Sequence, residues 1–216
     1  MDSDLAGERP ARKQQQRSVR TRQKLLDAAL EAFSEYGFKG TSTRDIADRA
    51  GVHHPLITYH FKNKESLWRA SADQVFSDFS AALLNARRDN ADKTPRERMA
   101  HMIRTYVHYA AQHPALHKLM LQESSRSSAR LDWLVEMHLR PVYEAVVAEL
   151  EPLQREGLAP SGNTALLFNL IRVASGGILA LALEIKDTTG LDLDQQENVD
   201  ALADMIVAVF LPDNAP

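Results

Sequence analysis

Apolar residues recur with a helical period along most of this chain of 216 residues. Between Thr21 and Tyr36, Leu26, Leu30 and Phe33 stand on one face, as an amphipathic α-helix requires. No convincing stretch shows the strict apolar and polar alternation that is typical of a half-buried strand. The length allows one or two compact domains. We therefore predict an all-α fold of about nine helices.

Punctuating residues predict where these helices begin and end. Gly37 and Gly51 follow apolar runs and can adopt the positive φ that ends a helix. Ser42 stands three residues before Asp45, an arrangement related to the capping box, and Asn63 is a good N-cap for a long helix over 64–86. The later helices are predicted over 95–112, 114–124, 129–156 with a kink at Pro141, 161–185 and 194–211.

Composition limits the chemistry that the chain can carry. It has no cysteine, which excludes disulfides, a thiolate nucleophile and a Cys-based zinc site, and which fits a reducing compartment such as the cytoplasm. Residues 1–17 lack the apolar centre of a secretory signal, so we predict a disordered basic tail. Its Arg12, Lys13 and Arg17, with Arg20 beyond it, could follow a DNA minor groove or could only keep the tail soluble.

Charge is unevenly distributed along the chain. Residues 1–64 have a net charge of +4, whereas the remaining residues have −7. A basic head on an acidic body suggests that the head meets a polyanion. The apolar run over 165–185 is about as long as a membrane span, but it contains Asn169, Arg172 and a Ser175-Gly176-Gly177 step. We predict no membrane partner and expect this helix to be buried against other protein.

The stretch 50–64, AGVHHPLITYHFKNK, is the most informative part of the sequence. A short helix, a glycine turn and a second short helix form the arrangement by which a helix-turn-helix offers its second helix to the major groove. Ile57 and Phe61, four residues apart, predict the inward side of that helix. Pro55 suits its first turn, where the missing N–H costs nothing. The outward residues left for DNA are His54, Pro55, Leu56, Thr58 and Tyr59.

The runs TSTRDIADRAGV and HHPLITYHFKNKESL resemble the DNA-binding domain of TetR-family transcriptional regulators over residues 19–68, about a quarter of the chain. The resemblance implies that Arg44 reaches a guanine and that His54, Pro55 and Leu56 face bases. It also implies phosphate contacts by Thr43, Thr58, Tyr59, His60 and Lys64. A guanidinium matches guanine O6 and N7, and an ammonium near a helix N-terminus suits a phosphate. His53 and Thr58 depart from the family pattern.

The resemblance also implies an organisation and a function. We expect a helix-turn-helix domain over 18–64 and a ligand-binding and dimerisation domain over 65–216, in a homodimeric repressor that a small molecule releases from a pseudo-palindromic operator. The predicted ligand contacts are Met102, Tyr106, Met120, Trp133 and Met137. The predicted dimer contacts are Leu166, Leu170, Gly176, Gly177, Leu179, Leu202, Ile206 and Phe210. For each of these residues, a place in the core of the bundle is the alternative.

Two other classes of protein were weighed. An all-α enzyme could use His101, His108, His113 or His117 with Glu123, but the sequence has no nucleophile-base motif, glycine-rich phosphate loop or metal signature. A non-specific nucleic-acid-binding protein fits poorly with an acidic body and a single short reading helix. We therefore predict no catalysis, no cofactor and no metal, with double-stranded DNA and a small effector as partners.

Overall fold

A computed structural model describes the backbone of residues 5–212 and the side chains of residues 14–212. This part of the chain contains nine helices and no strand, which confirms the all-α prediction. The first five are α1 (Leu5–Gly40), α2 (Thr43–Ala50), α3 (Pro55–His60), α4 (Lys64–Asp89) and α5 (Pro95–Gln112). The others are α6 (Pro114–Ser124), α7 (129–155), α8 (Thr164–Thr189) and α9 (Gln196–Phe210).

The predicted disordered tail is wrong for residues 5–17, which belong to α1. The reason is local, because arginine, lysine and glutamine are good helix formers and extend the amphipathic helix that follows. Arg17 and Arg20 are exposed on this helix. Residues 1–4 and the side chains of Arg12 and Lys13 lie outside the described residues.

The chain divides into two compact units between Gln74 and Val75. In the first unit, α1 is interrupted at Gly37, whose φ is 68°, as the glycine stop predicts. The side-chain oxygen of Ser42 accepts from the Asp45 amide and the Asp45 carboxylate accepts from the Ser42 amide, so the predicted cap is a true capping box. Gly51 ends α2 in the left-handed conformation with φ 64°. These two turns set α2 against α1 and lead directly into α3.

The second unit is built around α5. The core contains residues of α5, α7, α8 and α9, including the buried Met99, Val107, Leu150 and Val207. The first turn of α5 carries a capping box, in which Thr94 and Glu97 exchange side-chain and backbone hydrogen bonds. The C-terminal part of α4, from Val75 onward, belongs to this unit, and its Phe76, Phe79 and Leu83 are buried.

Two long helices of this unit contain π-helical turns. In α7 the π turn is Val135–Leu139 and lies just before Pro141. Proline has no N–H to donate to the carbonyl four residues earlier, at Met137, so the regular ladder opens there. In α8 the π turn is Val173–Gly177, followed by a 3-10 turn, Ile178–Leu181. The predicted disturbance of the helix at Pro141 is confirmed, whereas the π turn in α8 was not predicted.

The helix α8 is long and apolar enough to cross a membrane, with a mean hydropathy of 1.9 in its most apolar window. Only 28% of that window is buried inside the chain. The expectation of a helix covered by the rest of the protein therefore holds for Ile171 and Leu179 but not for Leu166 or Leu170, which are exposed. An apolar face of α8 remains open in the single chain.

Candidate functional site

The helix α3 is held from behind by two apolar anchors. Ile57 and Phe61 are both buried, and the Phe61 amide donates to the Ile57 carbonyl at 2.7 Å to close the helix. The Arg22 guanidinium lies 5.2 Å from the centre of the Phe61 ring. On the other side, Tyr59 is 74% exposed. The inward and outward sides predicted for this helix are confirmed.

His54 and Thr43 connect the start of α3 to the start of α2. The Oγ1 atom of Thr43 and the Nε2 atom of His54 are 3.0 Å apart. This contact fixes the imidazole ring and leaves Nδ1 as the ring nitrogen that can meet another molecule. The two residues are eleven positions apart in the sequence, and no local sequence pattern predicts their contact. His54 also occupies the N-cap position of α3 without making a side-chain cap hydrogen bond.

His60 is the last residue of α3 and Lys64 is the first residue of α4. Burial, with a smaller contribution from Arg22, holds the pKa of His60 below its ordinary value of 6.5. His60 is therefore neutral at neutral pH and offers a hydrogen bond, not a charge. The Lys64 ammonium lies 4.5 Å from the centre of the Phe38 ring, a cation–π contact that holds it close to the domain.

The structure leaves none of the predicted DNA contacts buried. The exposed residues are Arg44, His54, Pro55, Thr58 and Tyr59, and the half-buried residues are Thr43, Leu56, His60 and Lys64. They come from α2, from α3 with its N-cap His54, and from the first residue of α4. The set offers a guanidinium, an ammonium, hydroxyls, imidazoles and small apolar groups, which are the groups that contact phosphates and base edges. Their roles on DNA remain predictions.

The second unit contains a cavity of about 520 Å³, which is within the range of small-molecule sites. Side chains from five helices, α4 to α8, line it. Among the predicted ligand contacts, Met102, Tyr106 and Met120 lie in its wall. Trp133 and Met137 do not, and Met137 is 57% exposed. Both lie off the inward face of α7, which carries Leu131, Val135, His138 and Val142 at helical spacing.

The polar part of the cavity wall was not predicted from the sequence. The Tyr106 hydroxyl and His117 Nε2 are 3.0 Å apart. Burial, followed by the charge of Arg172, lowers the pKa of His117 to about 4. Burial also raises the pKa of Tyr106 well above its usual value, so both groups are neutral at neutral pH. Arg172 and Asn169 also line the cavity. The pairing of Tyr106 with His117 could not be predicted from sequence spacing, because the two residues lie on different helices.

Acidic groups of this unit are engaged away from the cavity. Glu149 is buried and forms ion pairs with Arg87 at 2.7 Å and Arg98 at 3.1 Å. Glu123 is also buried and pairs with Arg130 at 3.1 Å. No aspartate or glutamate stands among the described residues that line the cavity. Its wall is therefore apolar with a positive component.

The histidines considered for an enzyme have separate contacts. His108 Nε2 lies 2.9 Å from an Asp200 carboxylate oxygen at the surface, and His113 packs against the Tyr109 ring. His117 pairs with Tyr106, and His101 is exposed. Glu123, the proposed acid, is held by Arg130. The described structure gives these groups no common partner around which a reaction could be organised.

The predicted dimer contacts fall into three groups. Leu166 and Leu170 are exposed on α8 and remain available. Gly177, Leu202 and Phe210 are half-buried. The prediction is wrong for three residues that belong to the interior: Leu179 and Ile206 pack in the apolar core, and Gly176 lies against the His117 ring. Exposed apolar residues that the sequence analysis missed are Val173, Leu181 and Leu183 on α8 and Met205 and Val209 on α9.

Comparison with known proteins gives a consistent result. Residues 25–70 match the family of bacterial regulatory proteins described as the tetR family. The chain is 26% identical over 143 residues to the probable HTH-type transcriptional regulator YttP of Bacillus subtilis, covering 65% of this chain and 69% of that protein. It is 27% identical over 144 residues to the HTH-type transcriptional repressor NicS of Pseudomonas putida, covering 67% and 66% respectively.

The fold has solved counterparts over most of its length. A crystal structure of a HlyIIR mutant protein superposes with a TM-score of 0.71 and 18% sequence identity, covering 91% of this chain and all of that one. At this identity the likeness concerns the fold alone. Together with the match over residues 25–70 and the geometry of α2 and α3, it identifies the first unit as a helix-turn-helix DNA-binding domain. Residues 25–70 therefore form a DNA-binding domain of the kind found in the tetR family of bacterial regulatory proteins.

Proposed function

We propose that this protein is a cytoplasmic, homodimeric repressor that binds a pseudo-palindromic operator and is released when a small molecule enters the cavity of the second unit. The observation that carries the proposal is the geometry of α3, an exposed polar face fixed by the buried Ile57 and Phe61. A six-residue helix has little stability of its own, so such a face is ordered only because the domain holds it.

The exposed face of α3 supports sequence-specific reading. Arg44 offers the planar guanidinium that binds guanine bidentately, and His54, Pro55 and Leu56 meet base edges and thymine methyl groups. Thr43, Thr58, Tyr59, His60 and Lys64 position the domain on phosphates. Phosphate contacts fix register and base contacts specify the site, so both groups are needed for an operator to be distinguished from other DNA.

Open apolar faces on α8 and α9 support a homodimer. Leu166, Leu170 and Val173 are exposed on α8, and Met205 and Val209 are exposed on α9. Exposed apolar clusters of this kind mark association surfaces. A two-fold partner would also present two copies of α3 to half-sites about 34–36 Å apart, one turn of the duplex.

Release by an effector is supported by the position of α4. This helix starts at Lys64, directly after α3, and its later residues Phe76, Phe79 and Leu83 line the cavity. A ligand that prefers one conformation of the cavity wall would therefore shift α4 and change the spacing of the two reading helices. That NicS is described as a repressor supports repression as the direction of control.

The proposal is tested by selecting bound fragments from the source genome and mapping the protected bases. We expect one short motif with two-fold symmetry and half-sites one helical turn apart. Protection without a shared motif would instead indicate a non-specific nucleic-acid-binding protein. Enzymatic roles are not supported by any observation on the described residues.

Dimerisation is tested separately by sedimentation. Leu170→Arg places a charge on the open face of α8, where Leu170 is 59% exposed, and we expect it to give a monomer. Leu121→Arg is the matched control, because Leu121 is 60% exposed on a different helix, α6. A Leu170→Arg protein that sediments like the wild type would contradict the assignment of this interface.

A further inference from the structure

The cavity contains an arginine whose counter-ion is not found in the described part of the chain. Arg172, on α8, lines the cavity, and its Nε donates to the Asn169 Oδ1 atom at 3.2 Å. No carboxylate pairs with it among residues 14–212. The other arginine in the wall, Arg140, is neutralised by Glu136 at 2.6 Å. Arg172 is therefore the group in the wall best placed to receive an anion.

Further hydrogen-bond donors line the same cavity as Arg172. The hydrogen-bonded Tyr106 and His117 belong to its wall, and the positive charge of Arg172 acts on both of them. The pair holds two polar hydrogens, the phenol O–H and one imidazole N–H, and its 3.0 Å hydrogen bond uses only one of them. In either tautomer of His117, the other hydrogen has no acceptor within the pair. This end of the cavity thus has an excess of donors over acceptors.

The rest of the wall is apolar. Phe76, Phe79, Leu83, Met99 and Met102 come from α4 and α5. The Phe79 ring lies 4.8 Å from the Tyr106 ring, so the aromatic part of the cavity adjoins its polar end. Methionine and aromatic side chains adapt to ligands of different outline. The site therefore combines one cationic end with a flexible apolar body.

We propose that the cavity binds an amphipathic monocarboxylate, with its carboxylate on Arg172 and its hydrocarbon body among the aromatic and methionine side chains. This inference rests on the proposed function, because it names the chemical class of the effector. The planar guanidinium matches a carboxylate with two parallel hydrogen bonds. The free hydrogen of the Tyr106–His117 pair supplies an additional donor.

Ligands of the other charge types fit this wall less well. A ligand ammonium would find no carboxylate in the described lining and would share the cavity with the positive Arg172. Its desolvation free energy would therefore not be offset by an ion pair. A neutral ligand would displace water from the Arg172 guanidinium without giving it an anionic partner. The same apolar body should therefore bind best as the acid.

The test compares matched ligands on the full-length wild-type protein by isothermal titration calorimetry. The probes are decanoate, decanol and decylamine, with 2-naphthoate and 2-naphthamide as a second body. We expect at least one acid to bind about tenfold or more tightly than its neutral and amine counterparts, as a charge-assisted hydrogen bond provides. Equal binding of acid, neutral and amine forms, or no saturable binding of either acid, would overturn the proposal.

Variants identify the arginine responsible. Arg172→Gln should weaken the acid about tenfold or more while leaving the neutral ligand nearly unchanged, and Arg172→Lys should lose less because it keeps the charge. Arg140→Gln is the matched control, since Arg140 lines the same cavity but is already paired with Glu136. If Arg140→Gln reduces acid binding as much as Arg172→Gln does, the assignment to Arg172 is wrong.

A separate readout distinguishes this inference from the proposed function. Fluorescence anisotropy of a labelled operator, selected from the genome as above, reports release from DNA. An acid that binds through Arg172 without changing operator affinity would contradict release by the cavity but not the ligand class. Release by decylamine and not by decanoate or 2-naphthoate would retain the proposed function and contradict the ligand class.

Discussion

The reading helix α3 and the cavity of the second unit differ in how the chain assembles them. The exposed face of α3 comes from consecutive residues, and its two anchors, Ile57 and Phe61, stand one helical turn apart. The cavity takes its wall from five helices, over residues 76–172. The first site is local in sequence and the second exists only after the bundle has packed. A sequence pattern can therefore predict the exposed face of α3 but not the wall of the cavity.

The two sites also differ in where their polar groups lie. Tyr59 and Arg44 point to solvent, where an unbound polar group is satisfied by water at little cost. His117 is buried, and its Nδ1 atom has no hydrogen-bond partner in the described structure. Substitutions on the exposed face should therefore alter DNA binding with little effect on stability, whereas substitutions in the cavity wall should alter stability as well.

Removing an anchor of α3 should have the largest effect. Phe61→Ala deletes a buried ring, and we expect it to lower the free energy of unfolding of the first unit by about 3–5 kcal/mol. The matched change on the outward side, Tyr59→Ala, should alter this free energy by less than about 0.5 kcal/mol. Urea unfolding followed by circular dichroism measures both. Similar losses for the two variants would show that α3 has no distinct inner and outer sides.

Acid should reveal the buried histidine of the cavity wall. The pKa of His117 is about 4 in the folded protein and 6.5 as an ordinary histidine, so the unfolded state binds more protons between these values. The free energy of unfolding should therefore be unaffected by this group above about pH 6.5. It should fall by roughly 3 kcal/mol as the pH is lowered to about 4.

His117→Gln removes the titrating group while keeping a polar side chain beside Tyr106. The free energy of unfolding of the wild type should therefore fall more steeply between pH 6.5 and 4 than that of the variant, as measured by urea unfolding at each pH. Parallel curves for the two proteins would contradict the assignment of His117 as a buried neutral group.

The close approach of α8 to His117 should produce a smaller effect. A Cβ atom added at Gly176 would overlap the His117 ring, whereas one added at Gly177 would meet only the Val173 side chain, at 3.2 Å. We expect Gly176→Ala to cost about 1–3 kcal/mol through overpacking and Gly177→Ala to stay within about 1 kcal/mol. Thermal unfolding of the two variants provides the comparison. Equal stability would mean that His117 can leave this position freely.

The boundaries of the first unit could be predicted because each depends on short-range chemistry. Ser42 and Asp45 cap one another across three residues, and Gly37 and Gly51 adopt positive φ where the apolar pattern stops. The Thr43–His54 contact was not predictable in this way, because it joins the starts of two helices across a turn. Even in this unit, the contacts between helices had to be taken from the structure.

In the second unit the sequence predicted helices better than it predicted their faces. Leu179 and Ile206 were expected at a dimer surface because they lie on apolar stripes, but an apolar stripe is compatible with either a core or an interface. The π turn Val173–Gly177 also changes the phase of α8, so regular spacing does not identify its exposed side. That Arg172 shares a cavity wall with Tyr106 and His117 follows only from the packing of three helices, which no spacing in the sequence predicts.

The central claim, that the outward face beside α3 reads DNA sequence, is tested most directly by the affinity for a selected operator relative to a random duplex. At fixed salt, Arg44→Ala should lose about 1–3 kcal/mol on the operator and little on random DNA. Lys64→Ala should weaken both duplexes alike and reduce the slope of affinity against salt by about one unit. Equal losses on operator and random duplex for Arg44→Ala would contradict the claim.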